Sequence, residues 1–413
     1  MITGRIIHNL NSAFRFKLSK AKESYLWDDK GKKLIDFTSG WNTTNLGWNN
    51  PEITESIIKQ AKKNTYVPMW SQENIQEEYS DYFASLLPKN LEVFSRETGG
   101  ANANIMAIKA ARAFTGKRKI VGFSDSFHGS LYSVLEIGYK PEYLLSKSLF
   151  LNYEDYIQLK FPGIKSNYLN DSKLLNSFLN TLEKNLSNND VAAVICEAGI
   201  ITGWGTTDVA PNGFLTEIRK MTKKYKVLLI LDEVGTGFSR CGRLFGMELE
   251  NVAPDFATFA KGMSNGALPI GTMVTNKEIA DSVYAKSQPQ STFGWNPIAV
   301  AAALKTLQIH KRDKVWRKAE KDGNHIMNIL RKELTNCNLI KDINGIGMEI
   351  GIQLNLNDKK KTVKDIIDTT YEKGLHLCKS SETGLQIMPP LIIERKVLDQ
   401  GIDVLVKTIK TFS

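Results

Sequence analysis

Two short runs that are apolar at every position constrain the fold more than any other feature of the chain. Residues 191–196 (VAAVIC) and 227–231 (VLLIL) carry no polar side chain, so a strand at either place has no face that suits water. Strands of this kind belong to parallel sheets that helices cover on both faces. Residues 213–224, between the runs, suit a crossover helix. The order strand, helix, strand predicts an α/β layer architecture.

The centre of the chain and its two ends have different patterns. Residues 101–114 predict a helix and 119–123 a strand, whereas residues 25–36 (YLWDDKGKKLID) predict a hairpin. Two long helical stretches follow residue 296, and then come short strands near 345–354 and 384–388 and a last helix. We therefore expect two domains with a binding cleft between them. The large α/β domain covers 50–295, and a small α+β domain combines 1–49 with 296–413.

Composition and charge exclude several classes of protein. The 413 residues are 42% hydrophobic and 24% charged, which is typical of a globular protein and not of a disordered or collagen-like chain. The net charge of +10 suggests nucleic acid or an anionic membrane as a partner. However, the basic residues are scattered except at 359–361 (KKK), so we expect neither partner.

The cysteines and the apolar runs indicate the compartment. The four cysteines have no paired spacing, so we expect no zinc or other metal site, no disulfide framework and a reducing environment. No apolar run approaches the roughly 18 residues of a membrane span, and the first ten residues lack the apolar core of a signal peptide. These features predict a cytoplasmic protein.

The chemistry is concentrated in residues 229–246 (LILDEVGTGFSRCGRLFG) and 254–271 (PDFATFAKGMSNGALPIG). Asp232 ends the second apolar run, where ligands bind in open α/β sheets, although an acid at such a place can also cap a helix. Lys261 follows the next apolar segment and precedes a glycine-containing stretch. A lysine that faces an aspartate there has the form of a Schiff-base nucleophile with a partner for a pyridinium nitrogen.

These residues, taken together and in this order, resemble the class III aminotransferases, which are pyridoxal-phosphate enzymes of the aspartate-aminotransferase fold (fold type I). The resemblance runs from residues 27–40 (WDDKGKKLIDFTSG) to 389–391 (PPL), and the spacing of 29 residues between Asp232 and Lys261 suits the family. It implies that Lys261 holds the cofactor and then moves protons at the substrate Cα. It also implies that Asp232 pairs with the pyridine nitrogen.

The resemblance implies several further contacts to pyridoxal phosphate. Residues 98–112 (TGGANANIMAIKAAR) are similar to the phosphate-binding turn, with Gly100 and Ala101 at the contact positions. Thr292, in a segment that resembles the dimer crossover, contacts the phosphate of the neighbouring subunit in relatives. We therefore expect a homodimer in which each active site needs both subunits.

Other matched positions surround the cofactor ring. Phe127 and His128 belong to an aromatic-His-Gly signature whose aromatic ring stacks on the pyridine, and Val234 matches the aliphatic residue on the opposite face. Glu197 matches a glutamate that ends a strand near the cofactor and pairs with an arginine in some relatives.

The departures from the family pattern concern the substrate more than the cofactor. Gln386 stands where relatives carry an arginine that binds a substrate carboxylate, so that bidentate cationic donor is lost. Gly235 replaces the usual glutamine, and Ala101 replaces a serine or threonine. Trp41 and Gln386 together predict a pocket for an amine of aromatic, apolar or polar uncharged character. Arg240 remains a candidate partner for a carboxylate.

The leading hypothesis is an aminotransferase that moves an amino group from an amine or amino acid to a carbonyl acceptor by a ping-pong mechanism. A racemase, epimerase or aminomutase on the same scaffold stays open, because such enzymes use the same lysine and aspartate. A non-catalytic cofactor-binding relative is a third hypothesis, although such a protein has little need of Lys261.

Overall fold

The computed structural model describes residues 16–138, 155–163, 172–202, 207–287, 291–356 and 362–413, together with two short strands before them. The basic cluster at 359–361 lies outside these ranges. The described strands, in chain order, are β1 Ile2–Thr3, β2 Ile6–Ile7, β3 Leu18–Lys22, β4 Tyr25–Asp28, β5 Lys33–Asp36, β6 Val93–Phe94, β7 Lys119–Phe123, β8 Tyr156–Leu159, β9 Val191–Glu197, β10 Ile200–Ile201, β11 Asp208–Val209, β12 Leu228–Asp232, β13 Phe256–Phe259, β14 Thr272–Thr275, β15 Ile340–Ile346, β16 Glu349–Leu354, β17 Leu375–His376, β18 Cys378–Ser381 and β19 Gly384–Ile387.

The described helices cover the strands and connect them. They are Pro51–Lys63, Asn74–Ala84, Gly100–Thr115, Tyr132–Leu135, Ser172–Leu186, Phe214–Lys224, Lys277–Ser287, Pro297–Asp313, Val315–Leu334, Val363–Glu372 and Arg395–Thr411. None of these helices is long and apolar enough to cross a bilayer.

A seven-stranded sheet carries the functional residues. Its strand order is β6-β14-β13-β12-β9-β7-β8. The pairs from β13 to β8 are parallel, and only β14 runs against its neighbours. The two apolar runs of the sequence are β9 and β12, and every residue of β9 is buried. The prediction of a mostly parallel α/β sheet is therefore confirmed, with one antiparallel strand added.

The N-terminal and C-terminal segments share one hydrophobic core. The predicted hairpin forms from β4 and β5, and β17 joins β5 in parallel. A separate antiparallel sheet has the order β15-β16-β19-β18. Phe37 and Leu46 pack in one cluster with Leu385 and Leu398, which supports a small domain built from both ends of the chain. The boundaries at 49/50 and 295/296 stay a prediction.

Arg240 ties the loop after β12 to both terminal segments. Its side chain is fully buried. One terminal nitrogen donates to the carbonyls of Met348 at 3.0 Å and Pro389 at 2.9 Å. The other donates to Asn45 Oδ1 at 2.6 Å and Ser39 Oγ at 3.2 Å. Burial lowers the pKa of Arg240 to about 10, so the guanidinium stays charged at neutral pH and needs these acceptors.

Candidate active site

The carboxyl ends of three parallel strands bring the site together. In the sheet register, Asp232 pairs with Glu197 on one side and with Thr258 on the other. The carboxyl ends of parallel strands form the edge where α/β sheets bind ligands. The chain then leaves β13 and reaches Lys261 within two residues. Register therefore places the predicted aspartate, glutamate and lysine at one edge.

The Asp232 carboxylate is buried and accepts three hydrogen bonds. Asp232 is 1% exposed. The amide of Val234 donates to Oδ1 at 2.9 Å. Asn104 Nδ2 donates to Oδ2 at 2.7 Å, and His128 Nδ1 lies 2.7 Å from the same oxygen. Because a carboxylate can only accept, His128 carries its proton on Nδ1. These donors offset the cost of burying the charge.

Three residues that the sequence did not reveal hold this arrangement in place. Asn104 also donates to the carbonyl of His128 at 2.9 Å, and its own oxygen accepts from Thr258 Oγ1 at 2.6 Å. Ser126 Oγ lies 3.0 Å from His128 Nε2. Asn104 follows Gly100 by four residues on one helix, so helical periodicity was the one available signal. Ser126 and Thr258 carried none.

Lys261 occupies a strained turn. Its φ is +44°, in the left-handed region that non-glycine residues seldom adopt, and such a conformation costs about 1–3 kcal/mol. The turn continues into Asn265, whose side chain accepts from the amide of Leu46 at 2.7 Å and donates to the carbonyl of Gly47 at 2.9 Å. The N-terminal segment therefore fixes the turn that carries the lysine.

A cavity of about 930 Å³ lies over these residues. Lys261 and Asp232 both line it. The other predicted residues that line it are Trp41, Gly100, Ala101, Phe127, His128, Glu197 and Val234. Gln386 and Thr292 are not among the lining residues.

The helix Gly100–Thr115 points an uncapped N-terminus into the cavity wall. Gly99 provides no side-chain cap, and the first turn contains no acidic residue. The amides of that turn are therefore available to an anion, and the helix dipole favours negative charge there. A Cβ at Gly100 would lie 2.9 Å from both methyl groups of Val234, so glycine is needed for this close approach.

Glu197 is held by backbone and hydroxyl donors. The amide of Phe127 donates to one carboxylate oxygen at 3.1 Å. The amide and hydroxyl of Thr202 donate to the other at 2.8 and 2.6 Å. Burial, with a smaller contribution from the charge of Asp232, raises the pKa of Glu197, and the Thr202 hydrogen bonds oppose that rise.

The chain matches a known family over nearly its whole length. The model of the family "Aminotransferase class-III" matches residues 7–409. An acetylornithine aminotransferase from Methanothermobacter thermautotrophicus is 30% identical over 389 residues, which are 94% of this chain and 92% of that protein. The same-named protein from Bacillus cereus is 32% identical over 390 residues, 93% of this chain and 92% of the relative.

The chain belongs to the class III aminotransferases. Among solved structures, an (S)-enantioselective omega-transaminase from Thermomicrobium roseum superposes with a TM-score of 0.87 at 27% identity, covering 96% of this chain and 92% of that one. The cofactor of this aminotransferase is pyridoxal phosphate. The aspartate-aminotransferase fold and aminotransferase activity expected from the sequence are thereby confirmed, and the isomerase alternative is not favoured.

The residues of this aminotransferase fit pyridoxal phosphate. The uncapped amides at Gly100 and Ala101 suit a phosphate dianion. The buried Asp232 carboxylate suits a protonated ring nitrogen, and Phe127 and Val234 line the same cavity with apolar surface. Lys261 brings the amine that such a cofactor needs. Among the described residues, no cluster of His, Cys, Asp and Glu is arranged to hold a metal ion.

Of the residues predicted to contact the substrate, Trp41 lines the cavity, whereas Gln386 and Arg240 do not. Gln386 is fully buried on β19 and lies behind Thr202, since its Nε2 donates to the Thr202 carbonyl at 3.2 Å and to Glu349 Oε1 at 3.2 Å. It therefore does not line the cavity. Arg240 is not available to a carboxylate either, because its terminal nitrogens bind the backbone and side chains described above.

Trp41 reaches the cavity from a left-handed turn. Ser39, Gly40, Trp41 and Asn42 have φ values of +47°, +56°, +67° and +61°. Each non-glycine residue in this conformation costs roughly 1–2 kcal/mol. Two side chains hold the turn: Ser39 Oγ donates to the Met388 carbonyl at 2.7 Å, and Asn42 Nδ2 donates to Glu349 at 2.6 Å. Segments from near both ends of the chain thus present the tryptophan to the site.

We expect removal of the Asn104 amide to weaken binding of pyridoxal phosphate to the apoenzyme. The Asn104→Ala variant deprives the Asp232 carboxylate of one donor, and a hydrogen bond to a charged group is worth about 1.5–3 kcal/mol. Fluorescence titration should therefore give a Kd roughly tenfold to hundredfold higher.

Asn102→Ala is the matched control. Asn102 lies on the same helix but donates to Thr98 Oγ1 at 2.9 Å instead of to the aspartate, so its Kd should stay within about twofold of the wild type. Equal effects of the two substitutions would contradict the role assigned to Asn104.

Proposed function

We propose that this aminotransferase takes its amino group from a primary amine whose remaining part is apolar or neutral, and passes it to a carbonyl acceptor. One observation carries the proposal. Among the residues that the structure describes, the cavity is lined by one lysine, Lys261, and by no arginine. Two acidic residues, Glu197 and Asp232, also line it. A substrate carboxylate would thus meet acidic side chains without a guanidinium to bind it. Trp41, Leu135 and Leu268 supply apolar surface instead.

The residues divide the catalytic work as follows. When bound, pyridoxal phosphate supplies an electrophilic carbon and a ring that accepts electrons from the substrate. The amine of Lys261 would remove a proton from the donor carbon that bears the nitrogen, and in the second half of the cycle it would deliver a proton to the acceptor carbon that receives the nitrogen. The Asp232 carboxylate holds a proton on the ring nitrogen. The amides at Gly100 and Ala101 bind the phosphate, and Phe127 and Val234 restrict the ring.

N-acetylornithine is a second candidate donor. Its support comes from the curated relatives, which are named acetylornithine aminotransferase and are 30% and 32% identical to this chain. The molecule presents a primary amine at one end and a neutral amide at the other. The carboxylate of N-acetylornithine argues against this candidate, because no arginine is among the described residues that line the cavity.

We also propose a homodimer whose two active sites are shared. Thr292 is exposed in this chain, and the neighbouring Phe293 is 66% exposed. The Phe293 ring lies 6.2 Å from that of Tyr66, which is 41% exposed, and Trp70 is 85% exposed. Exposed large apolar side chains of this kind mark protein interfaces. A second copy would cover them and bring Thr292 to the neighbour's phosphate.

The cytoplasmic location also remains our inference. All four cysteines are free thiols, which suits a reducing compartment. Cell fractionation with an antibody against the chain would test it, and recovery from an oxidising compartment would contradict it.

Substitution of Lys261 by alanine should abolish the donor half-reaction. With an amine and no acceptor, the wild-type holoenzyme should change its absorption spectrum once per active site. Borohydride should fix the cofactor to wild-type chains but not to Lys261→Ala chains. Loss of a catalytic amine should slow the half-reaction by at least about 10³-fold. Lys277→Ala, at a lysine with a 73% exposed side chain, is the control. Full turnover by Lys261→Ala would overturn the mechanism.

A donor panel tests the substrate class. We expect kcat/KM for 1-phenylethylamine to exceed that for glutamate by at least about tenfold, because an unpaired buried carboxylate costs more than 1.4 kcal/mol. N-acetylornithine serves as the third donor, and a clear preference for it would favour the second candidate. A strong preference for glutamate or a short ω-amino acid would refute the neutral-amine proposal.

Substitution of Phe293, whose ring lies beside that of Tyr66, should break the dimer. Phe293→Asp places a charge in the proposed interface, so sedimentation at micromolar concentration should show monomers and the enzyme should lose activity together with them. Lys407→Asp is the control, since the Lys407 side chain is 71% exposed on the helix Arg395–Thr411. A wild-type protein that sediments as an active monomer would disprove the shared site.

A further inference from the structure

Thr202 occupies space that would belong to a side chain at position 235. A Cβ built on Gly235 would lie 2.0 Å from Thr202 Oγ1 and 3.0 Å from Thr202 Cβ. The first distance is far below any real contact. Thr202 is only 2% exposed, so it has little room to move away. Thr202 in its present position and a side chain at position 235 therefore exclude each other, so this position of the threonine requires a glycine at 235.

From this position Thr202 provides most of the hydrogen bonds to Glu197. Its amide and hydroxyl both donate to one carboxylate oxygen, at 2.8 and 2.6 Å. The other oxygen accepts from the amide of Phe127 at 3.1 Å. No lysine or arginine among the described residues forms a salt bridge with this carboxylate. A buried carboxylate without a cation depends on such donors.

Thr202 also connects Glu197 to the segment that carries Gln386. The carbonyl of Thr202 accepts from Gln386 Nε2 at 3.2 Å, and the same nitrogen lies 3.2 Å from Glu349 Oε1. Glu349 in turn accepts from Asn42 at 2.6 Å, beside Trp41. A continuous hydrogen-bonded path therefore joins the cavity wall to the turn that presents the tryptophan.

We propose that Thr202 is a positioning residue that fixes the Glu197 carboxylate at the cavity wall, and that Gly235 is the residue that makes this possible. The inference rests on the proposed function only where it is tested by the kinetics of the donor half-reaction. It predicts that the Glu197 carboxylate keeps one position through both half-reactions, because it is bound by the amide of Phe127 and by the buried Thr202 and not by a long arginine side chain. The donor and the acceptor then contact the same surface of the cavity at Glu197, which suits two substrates of similar shape.

The test compares variants of the holoenzyme at position 202. Thr202→Val keeps the shape and removes the hydroxyl, whereas Thr202→Ser keeps the hydroxyl. Hydrogen bonds to an ionised carboxylate favour that form, so Thr202→Val should move the acid limb of the kcat/KM profile of the donor half-reaction up by about one pH unit. The pH titration of the bound-cofactor absorbance should shift in the same direction. Thr202→Ser should restore both. Thr222→Val, which removes a buried hydroxyl that donates to the Arg219 carbonyl and belongs to no contact of Glu197, Thr202 or Gln386, should change neither.

A steric double-mutant cycle tests the role of Gly235. Gly235→Ala should displace the threonine, reproduce the pH shift of Thr202→Val and lower the thermal unfolding midpoint of the apoenzyme. In the Thr202→Ala background the atom at 2.0 Å is absent and the nearest remaining atom lies at 3.0 Å. Adding Gly235→Ala there should cause little further change, so the two substitutions should be strongly non-additive.

Two results would overturn the inference: a Thr202→Val enzyme with wild-type pH profiles, or additive effects of Gly235→Ala and Thr202→Ala on unfolding. The unfolding cycle uses apoenzyme and does not depend on turnover. Failure of the proposed function would appear as a strong preference for glutamate or a short ω-amino acid, with the steric coupling intact. Failure of this inference would appear as lost coupling with the dependence on Lys261 intact.

Discussion

The carboxylate of Asp232 determines how the other parts of the site are arranged. A charge at the end of a buried strand is tolerated only if donors surround it, because its desolvation costs several kcal/mol. The donors come from three places: the helix Gly100–Thr115, the loop that contains His128, and the turn after β12. Each of these segments also carries a residue proposed to contact the cofactor. Satisfying one buried acid thus places the phosphate-binding helix, the aromatic loop and the Val234 wall around one cavity.

The sequence predicted the parts of the site that depend on local pattern. Two fully apolar runs located β9 and β12, and the position of a strand end located Glu197 and Asp232, because parallel strands in register end at the same edge. Lys261 followed from the next strand in the same way. The prediction could not find Asn104, which bridges to Thr258 across 154 residues of chain. Contacts of that separation leave no periodicity in either segment.

Arg240 and Gln386 illustrate a second limit. Both were singled out by their place in a motif, and a motif gives the residue type but not its partners. In the structure, the terminal nitrogens of Arg240 bind four groups from segments more than 100 residues away, and Gln386 faces Glu349 and Thr202. A polar side chain with buried partners is not available to a substrate. Only the fold determines which of the family's polar positions remain open to the cavity.

Glu349 shows how the strained turn and the cavity wall depend on each other. It is fully buried, accepts from Asn42 and Gln386, and lies close enough to Arg240 and Lys261 for their charges to lower its pKa. Burial outweighs those effects and raises the pKa of Glu349 to about 7. The left-handed turn with Trp41 persists because this acid and Arg240 hold its two ends. Since the same acid also accepts from Gln386, which supports Thr202, a change at the turn alters the hydrogen bonding of the wall. The shape of the cavity therefore depends on segments near both ends of the chain, which are distant in sequence from the strands that carry the catalytic residues.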